Sequence, residues 1–131
     1  LVILYGGYTA EKLVYGTTTT GTSNDIQKAT ELARKMVCEW GMSDDVGAVS
    51  FGQEDEPIFM GRDMARHESF SEETAAKIDK AIKEILENAK QEAYNNLVKG
   101  RKFLDTLAKS LVENETLTDE EIRALPGFEE L

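Results

Sequence analysis

At 131 residues the chain has room for one domain with a core of its own and too little for two. Its 25 acidic residues outnumber 15 basic ones, and the resulting net charge of −10 repels phosphate backbones and anionic lipid, which argues against a nucleic-acid-binding or membrane-surface protein. No run approaches the roughly 20 apolar residues of a membrane span. The opening "LVIL" is too short, and too poor in flanking basic residues, for a signal peptide. Cys38 is the only cysteine, so no intrachain disulfide forms, which suits a reducing compartment. The chain opens in apolar residues with no initiator methionine, as a segment of a longer protein does.

Residues 1–15, "LVILYGGYTAEKLVY", are apolar on nearly every side except at Thr9, Glu11 and Lys12. That pattern predicts a helix buried among others. Gly6 and Gly7 in its interior imply that another chain segment comes close, because each costs roughly 1 kcal/mol against alanine. A short strand is the competing reading of such a run; the good helix formers of "AEKLV" favour the helix. Gly16 and the threonine run then form a loop, with Ser23 or Asn24 as the N-cap of a second helix. Its apolar positions are Ile26, Ala29, Leu32, Ala33, Met36, Val37 and Trp40, and Gly41 ends it.

Residues 41–68 hold four glycines, Pro57 and the acidic "QEDEP", which together exclude a long helix; "VGAVSF" and "PIFMG" read as short strands or extended loop. From Ser71, a cap followed by Glu72 and Glu73, a long helix carries Ala75, Ile78, Ile82, Ile85, Leu86, Ala89, Ala93 and Leu97 on one stripe. Gly100 interrupts it, and "KFLDTLAKSLVEN" follows with Phe103, Leu104, Leu107, Leu111 and Val112. Two long helices joined by so short a turn are expected to lie antiparallel and bury their stripes on each other. Thr118 with Glu121 forms a T-x-x-E capping box before a short last helix that Pro126-Gly127 ends. The fold class is therefore mostly α, with a Gly-rich loop region that reads as short strands or extended loop, organised as a single domain over residues 1–131.

No complete active site can be assembled from these residues. His67, the only histidine, lies in the loop between Arg66 and Glu68 and reads as a bystander. Cys38 lies beside an apolar stripe and reads as a small buried hydrophobe. There is no C-x-x-C, no phosphate-binding loop and no nucleophile with an evident base; "QEDEP" lacks the ligand spacing of a calcium loop. Asp25 is different. A carboxylate in the first turn of a helix gains a few tenths to about 1 kcal/mol from the helix dipole. At about 100° per residue, however, Asp25 aligns with Ala29, Leu32 and Met36 rather than with the solvent face of Lys28, Glu31 and Lys35. A carboxylate turned inward needs a partner. A backbone amide, an arginine or a cation would each serve, and the pattern does not choose among them.

The blocks "YGGYTAEKLVYG", "TTGTSNDIQKATELARKMVCEWGMS", "PIFMGRD" and "SEETAAKID" resemble, in order, those of the FtsH-type proteases, membrane-anchored ATP-dependent AAA+ zinc metalloproteases of bacteria and organelles. The resemblance runs from Tyr5 to about Leu125 and is most specific at "TGTSND" and "ARKMV". It implies a largely helical peptidase domain in which zinc is held by two histidines of an H-E-x-x-H helix and by the aspartate of "SND", here Asp25. The glutamate between those histidines would be the general base. Glu11, in the "AE" of the preceding block, would then support or orient a histidine ligand. The resemblance further implies protein substrates, a homohexamer, ATP used by a separate ATPase module, and a place on the cytoplasmic side of a bacterial inner membrane, or in an organellar matrix or stroma.

This sequence departs from the family pattern in lacking H-E-x-x-H, the ATPase module and the membrane anchor. "AEK" stands where many relatives have two acids in succession, and Thr22 where alanine is common. The chain alone is expected to contribute the third zinc ligand and no catalytic residue, and to be inactive without the upstream segment. The competing reading is a non-catalytic helical module for packing or oligomerisation.

Overall fold

The computed structural model describes residues 1–50 and 71–131. Five helices occupy them: α1 (Gly6–Tyr15), α2 (Ser23–Cys38), α3 (Glu72–Lys99), α4 (Arg101–Asn114) and α5 (Asp119–Arg123). Short 3-10 turns add Thr20–Thr22 and Phe128–Glu130. The mostly α expectation holds, and no strand occurs among the described residues. Residues 46–50 of "VGAVSF" are turn and irregular backbone, while "PIFMG" and His67 lie outside the described residues.

The centre of the fold is α2 laid antiparallel on α3. Ala33, Val37 and Cys38, late in α2, share a buried cluster with Ile78, Ala81 and Ile82, early in α3. Ala29, early in α2, meets Ala89 and Ala93, late in α3. Five of these buried positions are alanines, and small side chains let the helix backbones come close. Tyr5 closes the second cluster and turns edge-on to Tyr8, with ring centroids 6.2 Å apart.

The expected antiparallel pair is thus present but made by different helices. α3 and α4 touch only around Gly100 and the groove beside it, and α4 has no buried residue. A reversal between helices takes about two to five linking residues, and Gly100 is a single one, so α4 cannot fold back along α3. Instead the C-terminus partly covers α4: Phe128 meets Phe103 edge-on at 5.7 Å, and Leu131 lies against Gly100.

α1 also departs from expectation. Residues 2–5 are turns, with Gly6 N–H donating to the Ile3 carbonyl at 3.0 Å, so the glycines fall in the first helical turn, where their cost is smaller. A methyl group at Gly6 would meet nothing within 4 Å, and one at Gly7 only the Thr22 methyl at 4.0 Å, so no close approach requires either glycine. α1 buries one face on α3 and leaves Val14 and Tyr15 exposed. Thr9 is its one buried residue, its hydroxyl satisfied by the Tyr5 carbonyl at 2.7 Å.

The helix-end signals hold at Ser71, whose hydroxyl accepts from Thr74 N–H, and at the complete Thr118–Glu121 capping box. α2 stops at Cys38, and Trp40 is exposed beyond it rather than on the apolar stripe. Gly41 turns the chain with φ +61°, and a Cβ there would sit 2.8 Å from the Ala48 Cα. Gly41→Ala is therefore predicted to lower unfolding free energy by about 1–3 kcal/mol through backbone strain, measured as a fall in the urea midpoint. An unchanged midpoint would show that this turn relaxes freely.

Candidate metal centre

Asp25 is placed by the passage from α1 into α2. Gly16 ends α1 in the left-handed conformation, with φ +73°. Three residues on, Thr19 meets Glu11 of α1: its backbone N–H donates to Glu11 Oε2 at 2.9 Å, and its hydroxyl donates to Oε1 at 3.1 Å and Oε2 at 3.2 Å. The same hydroxyl oxygen accepts from Gly21 N–H at 3.3 Å. Thr22, buried, returns its hydroxyl to the Thr19 carbonyl at 3.2 Å.

The 3-10 turn Thr20–Thr22 then runs straight into α2, with Ser23 N–H donating to the Thr20 carbonyl. Ser23 and Asn24 are consequently already helical, and neither is the N-cap expected from sequence. The N-cap position is Thr22, which makes no side-chain cap; the capping threonine is Thr19, at the start of the preceding turn. A 3-10 turn abutting the helix supplies partners that a separate cap would otherwise provide.

Asp25 lies in the first turn of α2 and is half-buried. Ala29, on its row, is fully buried, whereas Leu32 and Met36 are half-buried. The row therefore runs along the margin of the core, and the expected solvent face of Lys28, Glu31 and Lys35 is exposed. Among the described residues no basic side chain forms an ion pair with Asp25, so of the three partners open to it an arginine is not the one found. A carboxylate at the positive end of a helix, with no ion-pair partner among the described residues, suits one position of a metal site.

It does not suit a whole site. Among the described residues no group of three potential ligands converges anywhere. Glu11 is committed to Thr19, and Cys38 is at the far end of α2, roughly 20 Å away at 1.5 Å per residue. Cys38 is buried as expected, and desolvation pushes its thiol pKa up, which disfavours the thiolate. Thr19 was not distinguishable by sequence from its three threonine neighbours; its role depends on meeting a residue eight positions earlier.

The sequence model of peptidase family M41 matches residues 1–125. The chain is 46% identical over 127 residues to the ATP-dependent zinc metalloprotease FtsH of Borreliella burgdorferi, covering 97% of this chain and 20% of that protein. It is 42% identical over 125 residues to the protein of the same name from Thermotoga maritima, covering 95% of this chain and 20% of the relative. The Caldicellulosiruptor bescii protein, also so named, is 46% identical over 125 residues, with 95% and 20% covered. The chain thus spans about a fifth of the length of these relatives. A match across nearly every described element, with identity above 40% in each of these relatives, leaves one conclusion: the chain belongs to peptidase family M41.

Proposed function

We propose that this chain is the C-terminal part of the peptidase domain of an ATP-dependent zinc metalloendopeptidase, and that Asp25 is the third protein ligand of its zinc. The observation that carries this reading is the half-buried Asp25 carboxylate, free of any ion pair among the described residues, inside the stretch 1–125 that a peptidase family matches. The other two ligands are histidines of an H-E-x-x-H helix in the rest of the parent protein, and the glutamate of that motif is the general base. Bound zinc would supply a polarised water as the attacking group.

The residues of this chain hold and aim rather than react. α2 carries the carboxylate, α3 buries α2 and fixes it, and the exposed charged faces keep the domain in water. No described helix is long and apolar enough to cross a membrane, so on this reading the anchor and the ATP-driven module are elsewhere in the parent. The parent assembles as a homohexamer on the cytoplasmic side of a bacterial inner membrane, or in an organellar matrix or stroma, and degrades membrane and cytoplasmic proteins.

Because one carboxylate cannot hold zinc alone, the 131-residue chain is predicted to lose all zinc on dialysis and to leave casein intact. The longer protein should keep about one zinc per chain, measured by atomic absorption. Stoichiometric zinc on the short chain would overturn the proposal.

A further inference from the structure

We infer that Glu11 and Thr19 form a latch that sets the position of Asp25, so that both are positioning residues for the metal site; this rests on the reading of Asp25 as a ligand. The Glu11 carboxylate accepts both donors of Thr19, the backbone N–H at 2.9 Å and the hydroxyl at 3.1 and 3.2 Å. A carboxylate bound to two donors of one residue fixes both where that residue sits and how its backbone is turned. No slack follows. Thr19 caps the 3-10 turn through Gly21 N–H, Thr22 ties back to the Thr19 carbonyl, and Ser23 N–H bonds Thr20 before Asp25 appears in the first turn of α2.

The Thr22 side chain, next along the passage, is turned toward α1. It is buried, and its methyl lies 4.0 Å from where a Cβ on Gly7 would be. Gly7 is one turn from Glu11 on α1, and the hydrogen bonds to Glu11 are what tie the passage to that helix. α1 and α2 are each seated on α3, and Tyr5, just before α1, shares a buried cluster with Ala29 of α2 and Ala89 and Ala93 of α3. The latch therefore refers the ligand to the same helix that anchors the core. On this inference Glu11 acts through the loop, beside the histidine-supporting role that family resemblance implies for it.

The test uses the full-length protein with Glu11→Gln, Thr19→Val, Thr19→Ser and the Glu11→Gln/Thr19→Val pair. The readouts are zinc affinity by chelator competition and hydrogen exchange of the peptide spanning residues 17–25. Loss of a group that orients a ligand weakens metal binding by about 10–100-fold. Glu11→Gln and Thr19→Val should each weaken zinc binding by about tenfold and speed exchange in that peptide, while Thr19→Ser, which keeps both donors, should match the native protein. The double variant should bind no more weakly than the weaker single variant, because the two side chains form one unit.

Zinc affinity and exchange unchanged in Thr19→Val, with Glu11→Gln impaired, would overturn the latch and leave the ligand reading intact. Fully retained zinc in Asp25→Ala would overturn the ligand reading and the inference with it. Thr19 is exposed and Glu11 half-buried, so none of the single variants alters a core residue, and equal thermal midpoints would exclude misfolding as the cause of a loss.

Discussion

Asp25→Ala in the full-length protein is expected to abolish proteolysis and to empty the metal site while leaving the fold in place. Removing a residue behind a ligand costs about 10–100-fold in affinity, so removing a ligand itself should cost more than about a hundredfold. The structural cost is small by comparison: a first-turn carboxylate contributes about 0.3–1 kcal/mol through the helix dipole. Asp25 makes no ion pair among the described residues whose loss would add to that. Zinc content by atomic absorption, caseinolysis and the thermal midpoint therefore separate the two roles. Asp25→Asn sharpens the result, since it keeps size and polarity and removes the negative charge that a dication needs. Native zinc content and native activity in both variants would defeat the ligand assignment.

Ile78→Ala is expected to give the opposite pattern, a large loss of stability with the metal site chemically unaltered. Ile78 is 1% exposed and sits against Ala33, Val37 and Cys38 of α2. It and Val37 are the two largest fully buried side chains among the described residues. Half of the ten buried hydrophobics among the described residues are alanines, so few bulky groups there remain to collapse into a vacated space. Truncating a buried isoleucine to alanine costs about 2–5 kcal/mol, against a total of about 5–15 kcal/mol for an ordinary domain. Urea denaturation should show that loss as a lower midpoint with an unchanged slope. Zinc content below the transition should stay native. Ile78→Val should cost only about 0.5–1.5 kcal/mol, and a cost for Ile78→Ala no greater than that would show that α2 and α3 close the gap by moving together.

Much of the local structure was legible because it depends on neighbours in sequence. The Ser71 cap, the Thr118–Glu121 box and the long stripe of α3 each arise from spacings of three or four residues, and each is found where the spacing puts it. The same holds for the inward tendency of Asp25, which follows from sharing a helical row with Ala29. The end of α2 was less legible, since Trp40 continues the period but lies past the last helical turn.

What periodicity could not state is which stripe meets which. α3 has an apolar row that α1, α2 or α4 could cover equally well in composition. Chain geometry decides, because the single residue Gly100 cannot reverse the chain, whereas the 33 residues between α2 and α3 can bring those helices together. The apolar character of residues 1–15 likewise overstated burial, since a helix at the margin covers one face whatever its other faces carry. The latch from Glu11 to Thr19 was beyond reach for a related reason: one threonine among four is selected only when the loop has its three-dimensional path. By itself the sequence determined a mostly helical chain of this peptidase family, with a carboxylate at the start of α2, because helix periods, caps and family motifs are properties of order along the chain. The tertiary structure alone decided that α2 pairs with α3 and that Thr19 ties that carboxylate's helix to α1, because both depend on distances between residues far apart in order and close in space.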